Sequence, residues 1–512
     1  MGRLYAIALS FANLVYLLAW GGLAAQGPQT LWYRKTLPTP QQYAAVAADV
    51  LALSIVTYAV LRVAPKLPAW LQRVLLAAAL LAVAFPLLPF AAAHLPFRSP
   101  APRQLAALAT VAGLVAVGLV FRYFDWAARA AGGIALAALL SVPVTFAGVG
   151  IVMLTRPPLP PDPLPAARLP GGPPVRMLWL IFDEWDQRLS FTHRLPGTAL
   201  PAVDRLASMS FVGKRALAVE AGRPVRSMST GISMPSLLYA KRVVAEQIVD
   251  TARMDLVFAD GSRARFGEAP NYFSLARARG WNTAVGGWYL PYCRSFGAQV
   301  SSCYWDQMYD RADAAGPGFT EASWQETKLL AESSLFGPFG QRMTAFRHAN
   351  EYKALADFAL RTAADAGIGC ALVHFNIPHG PYFYNAANGH TGYDATLPLL
   401  DRTVAEVLEA LARSGLAGKT ALILSADHPA RFPTRIDGGE DVHVPFIVHL
   451  PGEQTGMTFD AEFSALATVP LALAIAAGEV ATPEAVAKFV TGAGVRPSKP
   501  SGGAVCDGLA DN

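Results

Sequence analysis

Five long apolar runs fill the first 155 residues and constrain the fold more than any other feature of the sequence. They lie at Leu4–Ala25, Tyr43–Leu61, Val74–Ala93, Leu105–Phe121 and Ala131–Leu154. Each is close to the roughly 20 residues that a helix needs to cross a bilayer. The whole chain is only 15% charged, whereas soluble domains average about 25%. The sequence therefore predicts an N-terminal transmembrane domain of five helices over residues 1–155.

The basic residues between these runs predict the orientation of the helices. With the N-terminus in the cytoplasm, the inner segments carry six of them: Arg3, Arg62, Lys66, Arg73, Arg122 and Arg129. The outer segments carry four: Arg34, Lys35, Arg98 and Arg103. This bias follows the positive-inside rule, and an odd number of spans then places the rest of the chain outside the cytoplasm. The first run could be a signal peptide, but it lacks a small-residue cleavage site, so an uncleaved anchor is favoured.

The composition changes sharply after the last apolar run. Residues 156–176, RPPLPPDPLPAARLPGGPPVR, are rich in proline and predict an extended, stiff linker. Over residues 177–490, apolar runs of strand length alternate with helical stretches, which is typical of an α/β domain. Residues 491–512 predict a flexible tail. The net charge of +5 is spread along the chain, which favours an anionic lipid surface over nucleic acid as a partner.

The sequence holds four cysteines, two of them close together. Cys293 and Cys303 lie in the polar, aromatic stretch PYCRSFGAQVSSC, and in an oxidising compartment they would form a local disulfide. The alternative is two free thiols. Cys370, in the apolar run CALVHF, is expected in the core, and Cys506 belongs to the tail.

Three apolar strands of the α/β domain end in acidic or imidazole side chains. These are Asp183 and Glu184 after MLWLIF, His374 and His379 in and after CALVHF, and Asp427 and His428 after ALILSA. In open α/β sheets, binding sites form beyond the carboxyl ends of the strands, so these side chains are expected at one edge. Carboxylates mixed with imidazoles suit a divalent cation such as Zn²⁺ or Mn²⁺. Each pair taken alone could instead be a helix cap or a surface charge.

Two further segments could contribute to the same edge. The hydroxyl-rich stretch AGRPVRSMSTGISMPSLL leads into a predicted helix, and a hydroxyl at a helix N-terminus beside a metal can become a nucleophile. The alternative is an ordinary helix capped by Ser or Thr. His443, in EDVHVPF, is either a loop histidine or a contact for a phosphate or a second metal.

With these residues assembled, the segment from Met177 to Gly452 resembles the alkaline phosphatase/sulfatase superfamily. More narrowly, it resembles the membrane-anchored phosphoethanolamine transferases and lipoteichoic acid synthases, which share the helical anchor and tethered outer domain. The resemblance implies an alkaline phosphatase-like α/β/α sandwich. It also implies a multi-pass protein of a bacterial inner membrane, with the catalytic domain on the periplasmic side.

The resemblance also assigns roles to individual residues. Asp183 and Glu184 compete for the family's first acidic metal ligand, and SADHPA gives Asp427 and His428 as further ligands. TGISMP matches the T-x-x-S-x-P pattern of the transferases, so Thr230 would be both the nucleophile and a metal contact.

The imidazoles and one serine complete the implied site. His379, in HGP, and His443, in HVPF, would contact the substrate phosphate or protonate the leaving group, so both are also catalytic candidates. His374 and Ser233 are further candidates for substrate binding. The sequence departs from the family's S-D-H-G signature, because Ala426 separates Ser425 from Asp427 and because proline replaces the glycine.

The activity implied is transfer of a phospho-group, phosphoethanolamine above all, from a phospholipid to an envelope glycan or lipid through a phosphothreonine intermediate. A membrane-anchored phosphoesterase or sulfatase is the first alternative. Leu237 stands where formylglycine sulfatases carry Arg, although Ser233 keeps that reading open. The second alternative is a metal-binding membrane protein without catalysis.

Overall fold

The computed structural model describes residues 2–24, 27–94, 102–307, 318–335, 337–380, 382 and 392–492. The N-terminal helices are α1 (Gly2–Val15), α2 (Leu17–Ala24), α3 (Pro28–Trp32), α4 (Pro40–Val63), α5 (Ala69–His94), α6 (Pro102–Arg122), α7 (Phe124–Ala137) and α8 (Ser141–Thr155). The later helices are α9 (Pro201–Ser208), α10 (Thr230–Tyr239), α11 (Tyr272–Ala278), α12 (Tyr292–Phe296), α13 (Phe319–Leu335), α14 (Gly337–Ala364), α15 (Tyr393–Arg413), α16 (Thr468–Ala476) and α17 (Pro483–Gly492).

The strands all follow the helical region. They are β1 (Arg176–Phe182), β2 (Phe211–Gly213), β3 (Ala216–Leu217), β4 (Val243–Asp250), β5 (Arg253–Phe258), β6 (Arg263–Arg265), β7 (Thr283–Tyr289), β8 (Ser302–Gln307), β9 (Cys370–Phe375), β10 (Thr420–Ser425), β11 (His443–Val444), β12 (Phe446–His449), β13 (Met457–Phe459) and β14 (Phe463–Ser464). The predicted tail, residues 491–512, falls almost wholly outside the described residues.

The N-terminal helices suggest a membrane anchor, but with fewer spans than predicted. Among the described residues, Pro40–Lys66 and Phe124–Thr155 are long and apolar enough to cross a membrane. The pair α1 and α2 makes a third span if the 54° bend between them is counted within one span. The prediction of five spans is therefore wrong. In α5 and α6 the described apolar stretches, Ala69–Ala84 and Val111–Arg122, are too short to count as spans. The apolar runs predicted there continue into residues 85–110, whose side chains lie outside the description.

The proline-rich segment between anchor and sheet is held against the α/β domain. Residues 156–175 contain no helix or strand. The Ala166 amide donates to the Val300 carbonyl at 2.8 Å, and Trp305 Nε1 donates to Asp162 at 2.7 Å. The segment thus lies along the α/β domain instead of hanging free as a spacer.

An eight-stranded mixed sheet forms the centre of the α/β domain, which confirms the predicted α/β class. The strand order is β13-β2-β12-β10-β1-β9-β7-β8. β1 pairs in parallel with both β10 and β9, and β7 pairs in parallel with β9 and β8. β12 runs antiparallel to β10 and β2. Because β1, β9 and β10 are buried almost throughout, they could be read in the sequence as continuous apolar runs.

The parallel strands carry their last residues to one edge of the sheet. β1 ends before Asp183, β10 before Asp427, and β7 at Tyr289. β9 carries His374 as its penultimate residue. The topology therefore gathers side chains from segments that are far apart in sequence, at the place where open α/β sheets bind ligands.

The segment between α2 and α4 contacts the α/β domain directly. Arg294 donates to the Trp32 carbonyl at 3.0 Å and to the Arg34 carbonyl at 2.7 Å. Lys35 Nζ donates to the Trp305 carbonyl at 2.8 Å. These bonds attach the segment between α2 and α4 to the domain that follows the linker.

A second contact joins α13 to α4. Ser323 Oγ donates to the Asp49 carboxylate at 2.5 Å, and Ala45 packs on Ala322 one helical turn away. The small residues allow the two helices to approach closely, so Asp49 has a structural partner on the α/β domain.

The cysteines agree with the sequence analysis where they are described. Cys293 and Cys303 form the predicted disulfide, which joins α12 to β8. Cys370 is a free thiol, fully buried in β9. Cys506 lies outside the described residues.

Candidate active site

Two carboxylates and an imidazole form a buried group at the carboxyl edge of the sheet. Asp183 follows β1, and Asp427 and His428 follow β10. Each offers a ligand atom, and these atoms lie within 4.8 Å of one another. All three side chains are almost completely excluded from solvent.

The donors of this group fit a divalent cation. Asp183 Oδ1 and His428 Nε2 are buried and have no hydrogen-bond partner among the described residues. Burial and then the charge of Asp183 raise the pKa of Asp427. Burial also acts to raise the pKa of Asp183, but His379, His374 and His428 hold it well below its usual range. Two buried carboxylates and an imidazole with unused lone pairs are a suitable ligand set for Zn²⁺ or Mn²⁺.

Thr230 lies against this group at the first position of α10. The Ser229 side chain caps the helix by accepting from the Gly231 amide at 3.2 Å. Thr230 Oγ1 is 3.0 Å from Asp427 Oδ2 and 3.2 Å from Asp183 Oδ2, so either carboxylate can take its proton. The helix N-terminus favours negative charge on the hydroxyl oxygen or on a phosphate bound to it.

Ser233 is one turn further along the same helix. Its hydroxyl lies 3.4 Å from Asp427 Oδ2 and is fully buried. The structure therefore brings Ser233 near the ligand group, but the hydroxyl at the helix start is closer to both carboxylates.

Glu184 belongs to a neighbouring cluster and not to the ligand group. Its backbone φ is +63°, a conformation that is costly for a residue other than glycine. Its Oε1 accepts from Arg431 Nε at 2.6 Å, and the same guanidinium donates to His379 Nε2. His379 Nε2 lies 3.8 Å from Glu184 Oε1. Of the two acids that competed in the sequence, Asp183 is the one beside Asp427 and His428.

His374 supports Asp183 from within the core. Its Nε2 is 3.5 Å from Asp183 Oδ2, its Nδ1 is 3.0 Å from the Tyr292 hydroxyl, and the side chain is fully buried. This position orients the carboxylate, and it leaves no part of the imidazole open to solvent. The predicted HGP segment is described only through Gly380, since Pro381 lies outside the described residues.

His443 is held elsewhere, at the start of β11. Its Nδ1 is 2.6 Å from Asp441 and its Nε2 is 3.5 Å from Glu462. The hydrogen bond with Asp441 raises the pKa of His443. Within the described residues, no recorded contact joins it to the ligand group, so its predicted role in the site stays a prediction.

Arg431 and Trp288 are residues that the sequence analysis did not select. Trp288 Nε1 donates to Asp183 Oδ2 at 3.2 Å, and its ring lies 5.0 Å from that of His379. Trp288 is the penultimate residue of β7, TAVGGWY, and Arg431 follows His428 by three residues. Position at the carboxyl end of a strand was therefore the signal that could have found both.

Solved structures resemble the chain only weakly. Ps i-CgsB, in complex with k-i-k-neocarrahexaose, is 15% identical with a TM-score of 0.43, covering 62% of this chain and 76% of that one. A protein in the alkaline phosphatase superfamily from Vibrio parahaemolyticus is 15% identical with a TM-score of 0.37, covering 61% and 68%. The phosphonate monoester hydrolase of Agrobacterium radiobacter is 15% identical with a TM-score of 0.38, covering 63% and 78%.

The sequence itself matches one family. No curated protein sequence matches the chain. Residues 229–477, however, match the family described as Sulfatase, and this range begins at the cap of α10 and includes Asp427 and His428. Over residues 229–477 the chain is therefore similar to the Sulfatase family.

Proposed function

We propose that this protein is a membrane-anchored, metal-dependent phosphotransferase that acts through a covalent phosphothreonine. It takes a phospho-group, phosphoethanolamine, from a phospholipid and passes it to a glycan or lipid of the bacterial envelope. The observation that carries the proposal is the placement of Thr230 Oγ1 at a helix N-terminus, 3.0 Å from Asp427 Oδ2 and 3.2 Å from Asp183 Oδ2.

A divalent cation completes this arrangement. Asp183, Asp427 and His428 would hold Zn²⁺ or Mn²⁺, with Thr230 beside it. The bound cation supplies charge neutralisation for the phosphate and lowers the pKa of the hydroxyl.

The side chains of the site support a two-step transfer. Thr230 Oγ1 gives its proton to Asp427 and attacks phosphorus, and the bond from phosphorus to the diacylglycerol oxygen breaks. Arg431 is the cation available for the phosphate oxygens. His379, which lies beside Arg431, gives a proton to the departing oxygen. In the second step His379 takes the proton of the acceptor hydroxyl, and the acceptor oxygen attacks phosphorus. The bond from phosphorus to Thr230 Oγ1 breaks, and Thr230 recovers its proton from Asp427.

The anchor supports a lipid donor. Contacts from Trp32, Arg34 and Lys35 hold the α/β domain against an outer loop of the helical region. A domain fixed near the bilayer meets lipid head groups at high local concentration. The periplasmic face of a bacterial inner membrane is the location that fits this proposal.

Release of diacylglycerol tests the proposal. The full chain, with Zn²⁺ or Mn²⁺, is mixed with phosphatidylethanolamine vesicles and a hydroxyl acceptor such as lipid A. Wild type and the exposed-site control Thr192→Ala should release diacylglycerol and modify the acceptor, and Thr230→Ala should do neither. Equal activity of Thr230→Ala, or loss of activity in Ser233→Ala alone, would contradict the assignment of the nucleophile.

Hydrolysis is the second candidate, because the family match at residues 229–477 is to sulfatases. A hydrolase would pass the group to water, so phosphoethanolamine or sulfate would appear free in solution with the acceptor unmodified. The same reaction mixture distinguishes the two outcomes.

A further inference from the structure

Glu246, in β4, lies beside the proposed nucleophile and has no part in the steps above. Its carboxylate oxygens occupy the space that a Cβ atom on Gly231 would need, so a side chain there would have to displace the Glu246 carboxylate. Its Oε2 is buried and has no hydrogen-bond partner among the described residues. A carboxylate held in this way is costly unless a cation joins it.

The neighbouring acid, Glu220, has hydrogen-bond partners for both of its carboxylate oxygens. Glu220 Oε1 accepts from the Ser229 amide at 2.8 Å, and its Oε2 accepts from Arg223 at 2.6 Å. Burial and the charge of Glu220 raise the pKa of Glu246 to about 7. Both oxygens of Glu220 therefore have partners, whereas Glu246 Oε2 has no hydrogen-bond partner within the part of the chain that the structure describes. The charge of Arg223 opposes the rise in the pKa of Glu246.

Two tyrosine rings, Tyr33 and Tyr289, pack against each other next to β4, the strand that carries Glu246. Tyr33 follows α3, which packs against β4, and its ring centroid is 4.8 Å from that of Tyr289. Burial raises the pKa of both phenols, and the charge of Glu246 adds to the rise in each. Tyr289 ends β7 with φ at +69°, a strained conformation of the kind that clusters at functional sites.

The group formed by Glu246, Tyr33 and Tyr289 lies next to the active site. Tyr289 directly follows Trp288, whose Nε1 donates to Asp183 Oδ2 at 3.2 Å. Tyr289 therefore adjoins the group of proposed metal ligands. Tyr33 lies in the segment between α2 and α4, so the N-terminal helical region contributes a residue to this group.

We infer that Glu246, with the rings of Tyr33 and Tyr289, binds the ammonium of an aminoalkyl phosphate and so selects it over an uncharged glycerol phosphate. An ammonium offers three N–H donors to a carboxylate, and its charge is attracted to aromatic faces. Two carbons separate the amine of phosphoethanolamine from its phosphate, and one peptide unit separates Thr230 from Gly231, against which Glu246 lies. This inference rests on the proposed function, because it places the phosphate at Thr230.

Binding of soluble head groups tests the inference without turnover. Calorimetry on the full chain in detergent, with Zn²⁺ or Mn²⁺, compares O-phosphoethanolamine with glycerol 3-phosphate. Wild type should bind the amine roughly tenfold more tightly or better, as expected for a hydrogen-bonded charge pair. Glu246→Gln should bind both equally, with its affinity for glycerol 3-phosphate unchanged, which also shows that the site is folded.

Two further variants sharpen this test. Glu440→Gln, an exposed acid, should keep the wild-type preference. Tyr33→Leu should reduce the preference roughly threefold, since only one ring is lost. A preference retained in Glu246→Gln, no preference in wild type, or no binding of either probe by wild type overturns the inference.

The inference and the proposed function fail in different ways. If vesicles release no diacylglycerol but Glu246→Gln abolishes the preference, the binding site stands and the transfer reaction fails. If wild type modifies Thr230 but Glu246→Gln still prefers the amine, the transfer stands and the ammonium site fails.

Discussion

Replacing Asp427 by Asn should stabilise the metal-free chain and abolish its response to a divalent cation. Asp183 and Asp427 are buried, with ligand atoms within 4.8 Å of each other and of His428. Two negative charges at this separation repel by about 3 kcal/mol at an effective dielectric constant of about 20. Asn keeps the shape of the side chain and removes one charge. The lost attraction to His428 offsets part of the gain, so we expect a net stabilisation of about 1–2 kcal/mol.

Thermal unfolding of the full chain in detergent measures this effect. With a chelator present, Asp427→Asn should melt about 2–8 °C above wild type, given about 2–4 °C per kcal/mol for a domain of this size. Saturating Zn²⁺ or Mn²⁺ should raise the melting temperature of wild type but not of the variant. Asp460→Asn, whose side chain is 74% exposed, is the matched control and should change neither value. A variant that melts below wild type in chelator, or that keeps the full response to the cation, would refute the reasoning.

Three further predictions concern single groups. Arg431→Ala should slow diacylglycerol release by roughly tenfold or more, because it removes the cation that holds Glu184 and faces the phosphate, and Arg431→Lys should recover part of the rate. Glu246→Gln should raise the melting temperature at pH 8.5 but much less at pH 5. Burial raises the pKa of Glu246 from 4.5 to about 7. The wild-type protein therefore loses stability as the pH rises from 4.5 through about 7, and the Gln variant does not. Replacing both Cys293 and Cys303 by Ala should lower stability by about 3 kcal/mol in chemical denaturation, since the crosslink closes a short loop, and an unchanged midpoint would show that the bridge adds nothing.

The sequence predicted the centre of the fold because that part depends on local patterns. β1, β9 and β10 are buried on both faces, so each appears as an unbroken apolar run. Parallel pairing then brings Asp183 and Asp427 to one edge without further information. Thr230 was placed correctly at a helix start because hydroxyl-rich segments cap helices.

The remaining features depend on contacts between distant segments. Glu246 lies in β4, whose sequence VVAEQIVD reads as a partly exposed strand, and nothing local shows that its carboxylate is buried against Gly231. Tyr33 reaches the site from a loop of the anchor, more than 250 residues before its partner Tyr289. Apolar composition alone also could not show that the first predicted span is bent by 54° between α1 and α2.

Intact mass spectrometry of the full chain tests the central claim most directly. Wild type and Thr230→Ala are incubated with phosphatidylethanolamine vesicles and Zn²⁺ or Mn²⁺ without an acceptor, and then digested to locate any added mass. The account predicts a phosphoethanolamine adduct on the peptide that contains Thr230, present in wild type and absent from the variant. A metal-loaded wild-type chain that releases diacylglycerol with no adduct, or with an adduct on another residue, would contradict it.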